Sequence, residues 1–131
     1  MSAHQLRICS LDKPRIKSVL EAAREATDSL SIIPLNEKTA SVVFKTAYDA
    51  LRQLGDVKWL LSGYEARTHE VSMEILMEED PVAFKQMDRF RIIRNDAVYR
   101  GFKISIDLGK EILALWNEQG TKLLEKLREA V

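Results

Sequence analysis

The spacing of the apolar residues restricts the fold more than any other feature of this chain. They recur at steps of three and four along most of its length, and no run of period two competes. Ile16, Val19, Leu20, Ala23 and Leu30 form a first stripe, opened by Ser10 or Asp12 as cap with Pro14 in the first turn, and stopping near Ser31, before Pro34. Asn36 is the next cap, and Ala40, Val43, Phe44, Ala47, Leu51, Leu54 and Leu61 line a longer second helix. Gly55 sits inside that stripe, where it marks either a kink or the close approach of another helix, and Gly63 is a natural terminator. Ser62 and Glu65 have the spacing of a capping box. A short third helix carries Val71, Ile75, Leu76 and Met77.

Asp80-Pro81 reads as cap and first residue of a fourth helix through Phe84, Met87, Phe90, Ile93 and Ala97, loosening before Gly101. The fifth begins near Ser105 and continues through Leu108, Ile112, Leu115, Leu123 and Leu127, with Gly120 a bend. The expected fold is all-α, an antiparallel up-and-down bundle of four to five helices. Residues 1–11 show no period and read as an N-terminal arm, leaving residues 12–131 as one helical bundle domain. At 131 residues the chain can bury roughly two-thirds of its extended surface, enough for a core without metal or disulfide support.

Charge is balanced overall, with 20 Lys and Arg against 20 Asp and Glu, which excludes nucleic-acid binding by bulk positive charge. Locally it is uneven: Glu65 to Asp80 carries a formal −5, and Phe84 to Lys103 a formal +4. Two solvated faces attracting each other across the bundle would explain this, and so would a fourth helix that faces phosphate, because Arg offers planar, bidentate donors. The lone Cys9 points to a reducing cytoplasmic setting, and neither a membrane span nor a secretory signal is visible.

Within the basic helix, Arg91, Arg94 and Asn95 are related by three- and four-residue steps, and Asn95 and Tyr99 are four apart. Such a group can hydrogen-bond phosphate and stack a base on the Tyr ring. The alternative is that Arg94 pairs with an acid on another helix while Tyr99 fills the end of the bundle. Arg91 and Arg100 would add phosphate contacts, and Asp96 would orient one of the arginines. His69, with Glu65 and Glu70 near it, reads more readily as a solvated surface residue than as a metal ligand or acid/base. His4 lies in the arm. No second His stands four residues from either, and no nucleophile elbow or phosphate loop is present, so neither metal nor cofactor is expected. Trp59 and Trp116, with Phe44, Tyr48, Phe84 and Phe90, lie mostly on or beside the apolar stripes and read as core or dimer-interface residues, and the run Trp59-Leu60-Leu61 is wider than one face needs, a hint of self-association.

At Arg94-Asn95-Asp96-Ala97-Val98-Tyr99 the sequence resembles the HEPN family, helical nucleotide-binding domains whose late helix carries an Arg, a polar residue, three more residues and a His. The order and lengths of the helices are similar over about residues 36–131. The resemblance implies a homodimer with a cleft for RNA or a nucleotide. In active members it implies a metal-independent ribonuclease, sometimes a toxin paired with an antitoxin protein. Here Arg94 matches the Arg and Asn95 its neighbour, but Tyr99 stands in place of the His. A phenol near pKa 10 is a poor general base at neutral pH. Gly101 occupies the place of the Tyr that antitoxins of the nucleotidyltransferase type modify. The expectation is therefore a degenerate site that binds rather than cuts. Two alternatives stay open: a metal-independent ribonuclease using Arg94 and Tyr99, and a helical protein–protein interaction module with no nucleic acid.

Overall fold

The computed structural model describes residues 5–131, so His4 lies outside the described residues. The chain forms the all-α bundle that its periodicity predicts. Its helices are α1 (Lys13–Ile32), α2 (Ala40–Leu61), α3 (His69–Glu79), α4 (Met87–Arg100), α5 (Ile106–Leu115) and α6 (Thr121–Glu129). Helices α5 and α6 make one continuous rod joined by a π-helical stretch, Trp116–Gly120. Local chemistry sets several starts. Asp12 accepts a hydrogen bond from the Arg15 amide at 3.1 Å, Thr68 from Val71 at 3.3 Å, and Ser105 from Leu108 at 3.2 Å.

Helix α2 is the axis of the fold and packs against every other helix. Phe44, Ala47, Tyr48, Leu51, Leu54 and Val57 along it are fully buried. Each large apolar side chain among them contributes roughly 1.5–3 kcal/mol of burial. Trp116 is also fully buried, and its indole N–H donates to the Thr27 hydroxyl at 3.2 Å, tying the last rod to α1. The π stretch places Gly120 against that indole, where an added Cβ would overlap the ring.

Three local expectations are corrected. Part of the predicted arm is a strand, β1 (Leu6–Ile8), which pairs antiparallel with β2 (Tyr64–Ala66), Arg7 opposite Glu65. Three residues per strand are too few for alternation to register as a pattern. Glu65 therefore sits in a strand, where it pairs with Arg15 at 2.7 Å, and makes no capping box with Ser62. Asp80 does cap, accepting from Val82 and Ala83 at 3.2 and 3.0 Å, but what it caps is a series of turns. Regular α4 begins only at Met87.

The extended segment through β2 returns the chain along α2 before α3 begins. Tyr48 meets His69 and Lys58 meets Glu79, so α3 runs in the same general sense as α2, and this consecutive pair departs from the antiparallel order expected of an up-and-down bundle. The two helices approach closely at Gly55, where an added Cβ would lie 2.9 Å from the carbonyl carbon of Ser72 and 3.2 Å from its Cα. Gly55 is thus a contact point rather than a kink. The wide run Trp59-Leu60-Leu61 is consumed inside the chain. Trp59 packs with Val71 and Ile75 over the ribbon and donates its indole N–H to the Val71 carbonyl at 3.0 Å.

Candidate functional site

The start of α3 and the second half of α4 flank an open cleft of about 520 Å³, lined by Thr68, His69, Glu70, Arg91, Arg94, Asn95 and Tyr99. Four of these are the residues the sequence groups on one helix. Arg94 and Asn95 are half-buried on α4, and Tyr99 stands 79% exposed at the open end. Gly101, left-handed at φ 67°, ends the helix just beyond, with its amide and that of Phe102 donating to the Asp96 carbonyl.

Two expected participants sit elsewhere. The Asp96 carboxylate is 3.9 Å from Arg100 Nε on an exposed surface, and neither residue lines the cleft, so Asp96 does not orient Arg94. The reason is helical phase: a step of four pairs Asp96 with Arg100, whereas it stands only two positions from Arg94, on a different face. Arg91 keeps a cleft position, but Asp88 shares its charge, accepting from Nε and a terminal nitrogen at 3.2 and 3.0 Å.

Arg94 has no such partner. Its guanidinium carbon lies 5.7 Å from the centre of the Tyr48 ring, and its buried Nε makes no hydrogen bond. Among the described residues no carboxylate pairs with it. Leaving a buried donor unsatisfied is costly, and Arg52 Nε behind the site shares that state; what sets Arg94 apart is a cleft position with no carboxylate on it. Asn95 likewise spends its amide on no hydrogen bond among the described residues.

The attraction of an acidic third helix for a basic fourth does not account for these charges. Among the described residues no ion pair joins residues 65–80 to 84–103. Glu65 pairs with Arg15, Glu79 with Lys58 and Lys126, and Arg89 with Glu111. With Arg91 shared by Asp88, Arg94 is the cleft-lining arginine without a carboxylate among the described residues.

The sequence reading missed two members of the site. His69 is the first residue of α3, half-buried rather than solvated, and its Nδ1 is 3.3 Å from the hydroxyl of Tyr48. Burial lowers its pKa, with the positive charges of Arg52, Arg94 and Arg91 adding to the effect and Asp49 opposing it. Tyr48 is fully buried beneath the cleft, and burial pushes its phenol up to about 12. One signal was available. Tyr48 lies two turns before Gly55 on α2, so a helix seated on Gly55 passes near it.

Behind the site, Arg52 donates to Asp56 at 2.9 Å, and Asp56 accepts from the buried Ser72 hydroxyl. Burial raises the Asp56 carboxyl above the usual range, opposed by the Ser72 hydrogen bond and then by Arg52. This polar cluster fixes α3 on α2 and so fixes His69 opposite α4. Among the described residues no group of three or more His, Cys, Asp or Glu side chains is placed to hold a metal ion, and no helix is long and apolar enough to cross a membrane. Chemically, the cleft offers guanidinium, amide, imidazole and phenol to an anionic, aromatic ligand. No protein-family model, curated protein or solved structure matches the chain.

Proposed function

We propose that this HEPN-like helical protein binds RNA or a nucleotide in the cleft between α3 and α4, with a degenerate catalytic centre. Arg94, Arg91 and Asn95 hold phosphate and Tyr99 stacks a base. The observation that carries this reading is the half-buried Arg94, which lines the cleft and meets no carboxylate among the described residues. The protein acts as a homodimer in a cytoplasmic setting, with an antitoxin-like protein as a further partner if it belongs to a toxin pair.

Fluorescence anisotropy with a labelled single-stranded oligoribonucleotide tests this. Binding is expected at about 50 mM salt, weakening steeply towards about 200 mM as counterions compete. Arg94→Ala is expected to weaken it at least about tenfold, the usual cost of losing a charge-assisted contact. No binding at low salt would overturn the reading in favour of a protein–protein interaction module.

The presence of His69 in the cleft favours one second reading, a metal-independent ribonuclease with Arg94 at the scissile phosphate. Degradation of RNA in EDTA, lost in Arg94→Ala, would establish that activity in place of binding alone.

A further inference from the structure

The hydroxyl of Tyr48 is enclosed, and His69 Nδ1 is its hydrogen-bond partner among the described residues. A buried hydroxyl hydrogen needs an acceptor, and a phenol held near pKa 12 keeps its proton across the neutral range. The hydroxyl therefore donates and Nδ1 accepts. A neutral imidazole with Nδ1 unprotonated carries its hydrogen on Nε2, the nitrogen left for the cleft that His69 lines. Nε2 forms no hydrogen bond among the described residues.

We propose that Tyr48 locks His69 as a neutral donor, Nε2–H towards the cleft, and that the cleft so built takes a singly charged phosphodiester rather than a doubly charged terminal phosphate.

The groups facing the ring hold it neutral. From α2 come Tyr48, Asp49 and Arg52, from α3 Glu70, and from α4 Arg91 and Arg94. Three arginines oppose a fourth positive charge, and protonating Nδ1 would leave the Tyr48 hydrogen without its acceptor. The charge of the lining then selects the ligand. Arg91 and Arg94 against Glu70 give the lining a net of about +1, and Asp88 outside it lowers the charge at Arg91 further, so Arg94 is the lining arginine left without a carboxylate. A phosphodiester carries one negative charge, whereas a terminal phosphate carries about −1.5 to −2 near pH 7. Tyr99, 79% exposed at the open end of the cleft, offers flat apolar surface to a nucleotide beside a chain-internal phosphate.

This assignment rests on the reading that the cleft binds phosphate, and one set of titrations separates the two. The probes are the same short single-stranded oligoribonucleotide with a 5′-hydroxyl or a 5′-phosphate, and adenosine 5′-monophosphate. Affinity for the 5′-hydroxyl strand is expected to stay flat from about pH 6.5 to about pH 8.5, and the 5′-phosphate to change it by less than about twofold. The monophosphate should compete poorly. His69→Ala should weaken binding about tenfold. Ring ¹⁵N shifts should show His69 neutral with its proton on Nε2. Tyr48→Phe, which keeps the ring that fills the core, should mix the tautomers and weaken binding severalfold.

A proton found on Nδ1, affinity that climbs as His69 titrates, or tighter binding of the 5′-phosphate strand or the monophosphate would each overturn the assignment while leaving phosphate binding intact. Failure of the 5′-hydroxyl strand and the other probes alike to bind would overturn the reading beneath it as well.

Discussion

Replacing Gly55 by Ala tests how α3 is held and, through it, how His69 is placed. In an exposed helix interior this change stabilises by about 1 kcal/mol, because Ala restricts the unfolded chain and Gly does not. Here the added methyl would sit 2.9 Å from the Ser72 carbonyl carbon and 3.2 Å from its Cα, backbone atoms that cannot rotate aside. Overpacking costs about 1–3 kcal/mol, and more when the obstacle is rigid, so the upper end applies. Net of the propensity gain, the variant should lose about 2 kcal/mol. At about 2.1 cal/mol/K of unfolding entropy per residue, a chain of this length should melt about 7 °C lower. Guanidinium denaturation with an unchanged slope would report the loss directly. The same displacement should loosen the 3.3 Å contact between Tyr48 and His69, visible as a changed His69 titration. A variant as stable as the parent, or more so, would refute the seating of α3 on Gly55.

Further expectations concern pH and the core. His69 has a pKa below its ordinary value in the folded protein, so the unfolded chain takes up more protons as pH falls through that range. Stability from this group is present above the unfolded His pKa and lost on acidification, and His69→Gln should flatten the melting-temperature profile between about pH 7 and pH 5. Glu79 is held below the usual carboxylate range by hydrogen bonds from Lys126 and Lys58, so its contribution is present above the ordinary Glu pKa and lost as pH falls through the lower folded value. Glu79→Gln should remove that part of the acid dependence in urea titrations near pH 3–5, about the carboxylate range. Thr27→Val deletes the acceptor of the Trp116 indole N–H and should cost about 1–3 kcal/mol by thermal melting, the price of an unsatisfied buried donor.

The helices were legible because their stripes are long and their caps chemically explicit. Asp12 with Pro14, and Ser105, open helices where the sequence places them. Asp80 shows the limit of local signals: it makes the expected cap, yet cannot dictate whether turns or a regular helix follow. The β1–β2 ribbon was hidden because three-residue strands have no measurable period, and their pairing joins residues nearly sixty positions apart. For the site, spacing on one helix correctly grouped Arg91, Arg94, Asn95 and Tyr99, since that grouping needs only helical geometry. His69 and Tyr48 required knowledge of how α3 returns along α2. Among acidic neighbours His69 looked solvated, and on an apolar stripe Tyr48 looked like core, which it is, apart from the one hydroxyl that reaches the imidazole.

The most direct test of the central claim is a nuclear magnetic resonance titration of ¹⁵N-labelled protein with a single-stranded oligoribonucleotide at low salt. The largest shifts are expected at Arg94 Nε, the His69 ring, the Asn95 side-chain amide and Tyr99, with the far rod of α5 and α6 unmoved. Shifts centred elsewhere on the bundle, or an Arg94 Nε resonance unchanged at saturation, would contradict the account.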